Sequence, residues 1–258
     1  MIKILKPDHE DRKLCFHELI DTWRENGYCL VEKTDDYCCW IEEGNVLLYD
    51  YPRLIDRPPK NFKIGLFGNT VPSYPNSSAW TFWARRPKLL EKVRSEPQPE
   101  RIIKSIFLGK VESPEQLDNR NKHDWSKSVE LFSMPVLMGD SVTYPYSQEE
   151  YLNLVRKSYY GLCLAGFGPK CNREIEYMGL GTVPLVTPEV DMTYYDPPIE
   201  GKHFLRIEKP EDINIINCIS FKTWQEMSQN CIDWYERNAS PKGSFDTTLR
   251  ILREKFDF

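Results

Sequence analysis

The amino-acid sequence predicts an α/β fold, on three observations. Short apolar runs such as VLLYD (46–50), FKIGLF (62–67) and TVPLV (182–186) have strand length and are bounded by turn residues. Segments of helical period carry start signals, since Ser147 with Glu150 and Thr223 with Glu226 each fit a capping box. In the second half helix and strand alternate, which favours a parallel sheet and a Rossmann-like half.

Taken in order, an amphipathic helix is expected from about Glu10 to Glu25, with Phe16, Leu19, Ile20 and Trp23 inward and Asn26-Gly27 as its stop. Strand-like YCLVEK (28–33), VLLYD and FKIGLF follow. WARRPKLLEKVRS (83–95) is helical in pattern, with Pro87 near its first turn. SEPQPER (95–101), rich in Pro and charge, is the expected linker. It divides the chain into residues 1–98 and 99–243, with a C-terminal helix over 244–258 packing back on the first part. KSIFLGKV (104–111) suits a buried strand, and the polar segment through Trp125 is expected to be largely loop. A helix from Ser147 through Lys157 then feeds a strand, Tyr160 to Ala165. Later helices should bury Trp224, Met227, Cys231 and Trp234, and then Leu249, Leu252 and Phe256.

Composition narrows the function. The 258 residues are 40% hydrophobic and 28% charged, as in soluble globular proteins, and a net charge of -5 argues against a dedicated nucleic-acid binder. MIKILKPDHEDRK does not resemble a signal peptide and no run approaches a membrane span, so a cytoplasmic location is expected. The eight cysteines show neither a C-x-x-C pair nor metal-ligand spacing with the four histidines, and read as small core hydrophobes. His203 stands alone and is assigned no role.

The stretch GFGPKCNREIEYMGLGTVPLVT (166–187) carries the chemistry. Its layout is strand end, loop, short helix, strand. Gly166 and Gly168 bracket Phe167 where the chain leaves a strand, and glycine permits close approach to a ligand or a positive φ. Pro169 and Asn172 fit a helix start, Ile175 and Met178 form one apolar face, and Gly179 and Gly181 offer a stop. Free N–H groups and the helix dipole would then favour an anion, such as a diphosphate, beyond the strand end. Arg173 in the first turn can pair with phosphate oxygens, and Glu176 on the same face can accept hydrogen bonds from sugar hydroxyls. The alternative is a surface Arg–Glu pair on an amphipathic helix.

Residues 149–187 as a whole resemble the C-terminal half of exostosin-like glycosyltransferases, in which a helix, a strand ending in Gly, an Arg, a Glu three residues later and a G-x-V-P strand occur in this order. Arg173, Glu176, Gly181, Val183 and Pro184 match that pattern. KSIFLGKVESPEQLDNR (104–120) is similar to the family's entry strand into the same domain, with Gly109, Lys110 and Arg120 in corresponding places. LLYDYPRL and RRPKLLE add a likeness to the short soluble members encoded by large algal viruses, which would place the protein in host cytoplasm. Animal members carry a membrane anchor and a longer N-terminal domain that are not seen here, so their heparan-polymer role is not implied.

The resemblance implies a GT-B-like arrangement of two Rossmann-like domains facing across a cleft, the N-terminal one reduced and presenting the acceptor. It implies an inverting transfer of a sugar from a UDP-sugar to a hydroxyl of an oligosaccharide or glycoprotein acceptor. Among xylose, glucuronate, galactose and arabinose, xylose is the expected sugar. Donor contacts fall to Lys110, Arg120, Gly166, Gly168, Lys170, Asn172 and Arg173, with Glu176 on the ribose. No D-x-D motif occurs, so no metal is expected. Asp50 is chosen as catalytic base because it ends the apolar strand VLLY; it can equally turn the chain before Pro52, and Asp56 and Glu43 stay open. Trp80, Arg85 and Arg86, with Trp83, form an aromatic and basic cluster that suits an acceptor sugar, or else core packing. Two other classes stay open: a different enzyme on a related scaffold, such as an epimerase or a phosphorylase, and a non-catalytic nucleotide-sugar or glycan-binding module.

Overall fold

A computed structural model describes residues 1–8, 15–36, 38–50, 62–71, 74–138, 143–256 and 258. They form a mixed α/β protein of two units, each with its own sheet. The first unit comprises Met1–Lys88, Thr193–Pro197 and Glu236–Phe258, and the second Leu89–Met192 and Pro198–Tyr235.

The strands of the first unit are β1 (Ile2–Pro7), β2 (Cys29–Thr34), β3 (Cys39–Ile41), β4 (Val46–Tyr49), β5 (Ile64–Phe67) and β6 (Ser77–Ala79). Their spatial order is β2-β1-β3-β4-β5-β6, parallel except for β3, which runs antiparallel to both neighbours. Gly44 (φ 82) and Asn45 (φ 52) make the β3–β4 turn, and these are the residue types that enter the left-handed region at least cost. The fold thus opens on a strand, not on a helix. IKILKP shows its strand character through pairing with β2 and β3, which both lie beyond the helix α1 (Cys15–Glu25). Residues 10–14 of the expected opening helix lie outside the described residues.

Phe16, Leu19, Ile20 and Trp23 of α1 are buried. They meet the C-terminal helix α7 (Pro241–Phe256) and the extended run after β6 in an aromatic core. Trp23 donates from Nε1 to Ser244 Oγ at 3.0 Å, and Trp80 from Nε1 to Thr248 Oγ1 at 2.8 Å. The Trp80 ring lies 5.4 Å from Trp83 and 6.3 Å from Trp23. On α7 the buried residues include Phe245, Thr248, Ile251 and Leu252, while Leu249 and Phe256 are half-buried, a face rotated from the expected one. Thr248 and Ser244 answer the two indole N–H groups, a polar demand that an apolar periodicity does not reveal.

In the second unit, α2 (Pro87–Ser95, whose first two residues belong to the first unit) precedes β7 (Ile103–Leu108), β8 (Leu131–Ser133), β9 (Ser158–Cys163), β10 (Val183–Val186) and β11 (Leu205–Arg206). Their order is β11-β10-β9-β7-β8 and every pairing is parallel. The crossovers run through α3 (Pro114–Arg120), α4 (Gln148–Arg156) and α5 (Asn172–Gly179). Counted in chain order this is the doubly wound 2-1-3-4-5 arrangement, in which the winding reverses between β7 and β9. A 3-10 stretch, Pro210–Asn217, and α6 (Phe221–Asn238) complete the unit.

Several expectations change. The division falls between Lys88 and Leu89, inside α2, and the Pro-rich segment 95–101 belongs to the second unit. There it is braced: Arg156 donates to the carbonyls of Glu96 and Pro97, and Arg101 to those of Ser158 and Leu180. The polar segment before Trp125 contains α3, whose start was legible: Ser113 accepts from Gln116 N–H at 3.3 Å and Pro114 follows it. The capping box of α4 is present as expected, but α6 starts earlier, with Ser220 Oγ accepting from Thr223 N–H at 3.0 Å. Strands β3, β6, β8 and β11 are too short to show a period and are held by their neighbours' register.

Trp80 is fully buried, so it is a core residue and not an acceptor-binding one. Trp80→Ala should lower the unfolding free energy by about 3–5 kcal/mol, the usual cost of emptying a buried aromatic site. A denaturant titration read at the midpoint checks it.

Candidate functional site

A parallel sheet whose winding reverses leaves a crevice beyond the strand C-termini at the reversal, here β7 and β9, and the crossover helices begin at that same edge. At this edge the chain gathers two arginines. Arg173, the second residue of α5, is buried. Its guanidinium lies 4.5 Å from the centroid of the Phe107 ring, and Nη2 donates to the Leu108 carbonyl at 3.2 Å. Its Nε and Nη1 are buried without a hydrogen-bond partner among the described residues. Each such donor costs about 1–3 kcal/mol of desolvation unless something accepts from it.

Arg120, the last residue of α3, is also buried. Its Nε donates to the Ala165 carbonyl at 3.2 Å and its Nη1 to the Lys110 carbonyl, so one side chain ties the loops that leave β9 and β7. Burial, and then the neighbouring Arg173 charge, hold its pKa below the ordinary value. Two glycines make room for the pair. A Cβ at Gly109 would come within 2.9 Å of Arg173 Nη2; one at Gly166 would come within 3.0 Å of Arg120 Nη2 and 2.9 Å of Cys171 Sγ. Gly166 does not have a positive φ. The space it frees is taken by Arg120 and Cys171.

Helix α5 starts at Cys171, whose backbone N–H donates to Glu174 Oε2 at 3.0 Å. Glu174 is fully buried, and burial pushes its carboxyl up to about 7, against the hydrogen bonds to the helix start and the Arg173 charge. Glu176, one turn inward, is buried and accepts from Gln148 Nε2 at 3.0 Å. The buried Tyr151 of the same helix as Gln148 has its phenol pushed well up by burial and then by the Glu176 charge. Arg173 and Glu176 are therefore not a surface pair.

The other expected donor residues are placed around this edge with partners of their own. Lys110 is half-buried, with Nζ 2.6 Å from Glu112 and 6.0 Å from the Tyr144 ring centroid. Lys170 is buried, with Nζ 3.9 Å from Asp191. Asn172 is half-buried at the first position of α5, and the Gly166 carbonyl accepts from Asn119 Nδ2 at 2.9 Å, while that of Gly168 accepts from Gly166 N–H at 3.1 Å. Sequence reasoning passed over Phe107, Gln148, Tyr151, Glu174 and Asp191. For Glu174 a signal existed, its place three residues after a helix start, masked because cysteine is a rare cap.

In the first unit, Asp50 is half-buried just past the C-terminal end of β4. Glu43 is exposed beyond the opposite end of β4 and accepts from Lys3 N–H at 3.2 Å. Asp56 lies outside the described residues. Arg85 and Arg86 are exposed, and Arg86 Nε is 2.8 Å from Glu18. With Trp80 and Trp83 in the core, the expected aromatic and basic cluster splits into an inner and an outer half. His203 is buried, its Nδ1 accepting from Ile199 N–H at 2.7 Å. Among the described residues Cys29, Cys39, Cys163 and Cys231 are buried free thiols, Cys38 and Cys171 half-buried and Cys218 exposed. Among the same residues no group of three or more His, Cys, Asp or Glu side chains is placed to hold a metal ion, and no helix is long and apolar enough to cross a membrane.

In comparisons with known proteins, no family model matches the chain, and no curated protein matches it.

The raised carboxyl of Glu174 generates a prediction. As pH rises from about 4.5 toward 7, the unfolded chain releases this proton before the folded one does, so the folded state loses stability over that window. The full contribution is present below the lower value, and the loss is complete above about 7. Thermal unfolding from pH 4.5 to 8 should show this slope, on the order of 3 kcal/mol in total, and Glu174→Gln should remove it.

Proposed function

We propose that the second unit binds the diphosphate of a UDP-sugar and that the protein is an inverting glycosyltransferase of the exostosin-like kind, with the GT-B arrangement, acting on a glycan hydroxyl. The observation that carries this reading is the pair of buried, unanswered donors on Arg173, set at the start of α5 at the point where the winding reverses. A second buried guanidinium beside it leaves the edge with cationic charge that an anion complements. The likeness of residues 149–187 to the family points the same way.

In the proposed reaction the acceptor oxygen attacks the anomeric carbon as the bond from that carbon to the diphosphate oxygen breaks. Negative charge then grows on the leaving diphosphate. Arg173, and the N–H groups that open α5, stabilise it where water is excluded. Arg120 acts chiefly by holding the two loops in place, since the Ala165 and Lys110 carbonyls take two of its donors. Glu176, steadied by Gln148, accepts from the ribose hydroxyls. Asp50 takes the acceptor proton. The cationic groups replace a metal in this scheme, and xylose is the proposed sugar.

Arg173→Ala should weaken UDP binding by roughly ten-fold to a hundred-fold, since a charge-assisted hydrogen bond contributes about 1.5–3 kcal/mol. Calorimetry on the folded variant decides it, and unchanged affinity would remove the diphosphate from this site. Asp50→Asn should keep UDP-sugar affinity while kcat, measured in excess chelator, falls by about 10²–10⁴-fold. Turnover at the parental rate would make Asp50 a turn residue. Binding of donor with no product from any glycan acceptor would make the protein a binding module.

A further inference from the structure

Helix α7 turns one stripe of side chains away from the core, with Lys242, Asp246 and Arg253 exposed and Leu249 and Arg250 half-buried. Two cavities lie along this stripe, within the first unit. One, of about 280 Å³, is lined by Glu236 and Arg237 at the end of α6 and by Lys242, Asp246, Thr247 and Arg250. The other, of about 370 Å³, is lined by Asp246, Leu249, Arg250, Arg253 and Glu254. Asp246 and Arg250 belong to both, so the two adjoin as one groove. Its charges do not cancel. Lys242 is taken by Asp246, Nζ to Oδ1 at 2.6 Å, and Arg237 by Asp196, Nε to Oδ2 at 3.0 Å, while Glu254 accepts from the Tyr195 hydroxyl. Among the described residues neither Arg250 nor Arg253 pairs with a carboxylate. Arg250 is nonetheless held in place. Its Nη2 donates to two neutral acceptors, Asn238 Oδ1 at 3.2 Å and Thr247 Oγ1 at 3.3 Å, and its guanidinium carbon lies 5.4 Å from the centroid of the Tyr195 ring. Its Nε is buried without a hydrogen-bond partner among the described residues.

We propose that this groove is a second ligand site, which takes a monosaccharide unit bearing an oxyanion, either a phosphate ester or a carboxylate. The proposal does not depend on the diphosphate reading of Arg173. Two guanidiniums three residues apart share one helix face and can fork onto the oxygens of a single such group. Arg250, fixed beforehand by Asn238, Thr247 and Tyr195, gives up little freedom when a ligand arrives, and that favours affinity. The carboxylates of Glu236 and Asp246 in the same walls decide what else the ligand carries. They meet a bare inorganic anion with like charge, whereas ring hydroxyls donate to them. Leu249 offers an apolar wall to the carbon side of the ring. The two volumes lie near the lower end of the range for ligand pockets, which fits one sugar ring rather than a long oligosaccharide.

Calorimetry on the full chain with glucose, glucose 6-phosphate, glucuronate and inorganic phosphate tests the assignment, because the three sugars share a ring and differ at one carbon. The parent should bind glucose 6-phosphate or glucuronate at least about ten-fold more tightly than glucose or inorganic phosphate, and the preferred one of the two identifies the oxyanion. Arg253→Ala and Arg250→Lys should each weaken that binding by about ten-fold or more, the second because lysine keeps the charge and loses the fork. Arg173→Ala should leave it unchanged. Thermal unfolding of each variant shows whether it is folded; should Arg250→Lys fail to fold, Arg253→Ala, on the exposed stripe, decides alone. The site is overturned if neither sugar acid binds, if glucose or inorganic phosphate binds as tightly as the better of them, or if Arg253→Ala binds as the parent does. A loss caused by Arg173→Ala also overturns it, by moving the anion to the second unit.

Discussion

Burying two guanidinium groups at the ends of neighbouring strands is the constraint around which the second unit is arranged. An arginine removed from water must keep its charge answered by carbonyls, rings or a ligand, or the desolvation penalty opposes folding. Arg120 meets this demand inside the protein, through the carbonyls of Ala165 and Lys110. Arg173 meets it in part, over Phe107 and against the Leu108 carbonyl. The local backbone is fitted to the pair: a Cβ at Gly109 would meet the Phe107 ring and then Arg173, one at Gly166 would meet Cys171 and then Arg120, and Arg120 reaches the loops of the adjacent strands β7 and β9. Replacing buried charges by apolar side chains of similar volume is often neutral or stabilising, so the pair is not explained by stability alone.

Glu174 belongs to the same arrangement. It satisfies the backbone N–H of Cys171 at the start of α5 while sitting among the arginines, and its burial raises its pKa against their attraction. The site therefore carries a proton-dependent charge within its own support. Where Glu174 holds its proton the cationic excess of the edge is larger, and where it is ionised the excess is smaller. The first unit has a different economy of polar groups: its aromatic core meets the N–H groups of Trp23 and Trp80 with hydroxyls of α7, which fixes the register of that helix on the sheet.

How much of this was legible in the sequence varies with the interaction. The capping box of Ser147 and Glu150 marked α4 correctly because its chemistry is local. The same kind of signal at Ser113-Pro114 marked α3 and was passed over in a polar stretch. Strand β1 was not legible, because lysines interrupt it and its partner lies across a helix. Trp80 and Arg86 looked like one cluster because they are near in sequence, yet one is core and the other is surface. Leu249 and Leu252 showed that α7 is amphipathic, but the buried face turned toward Thr248 and Ile251, since the indole partners lie far away in the chain.

The sequence by itself determined the α/β class, the alternation of helix and strand in the second half, and the place of Arg173 and Glu176 in a short helix after a strand. These follow from periodicity, caps and glycine stops, which act over a few residues. Only the tertiary structure decided that β9 lies beside β7 rather than β8, and hence where the winding reverses. It alone decided that Arg120, from the end of α3, and Gln148, from the start of α4, come to that edge from two separate segments, and that Gly166 makes room for an arginine. Those outcomes depend on contacts between residues tens of positions apart, where burial and charge are settled jointly by every element that meets there, and no local pattern encodes them.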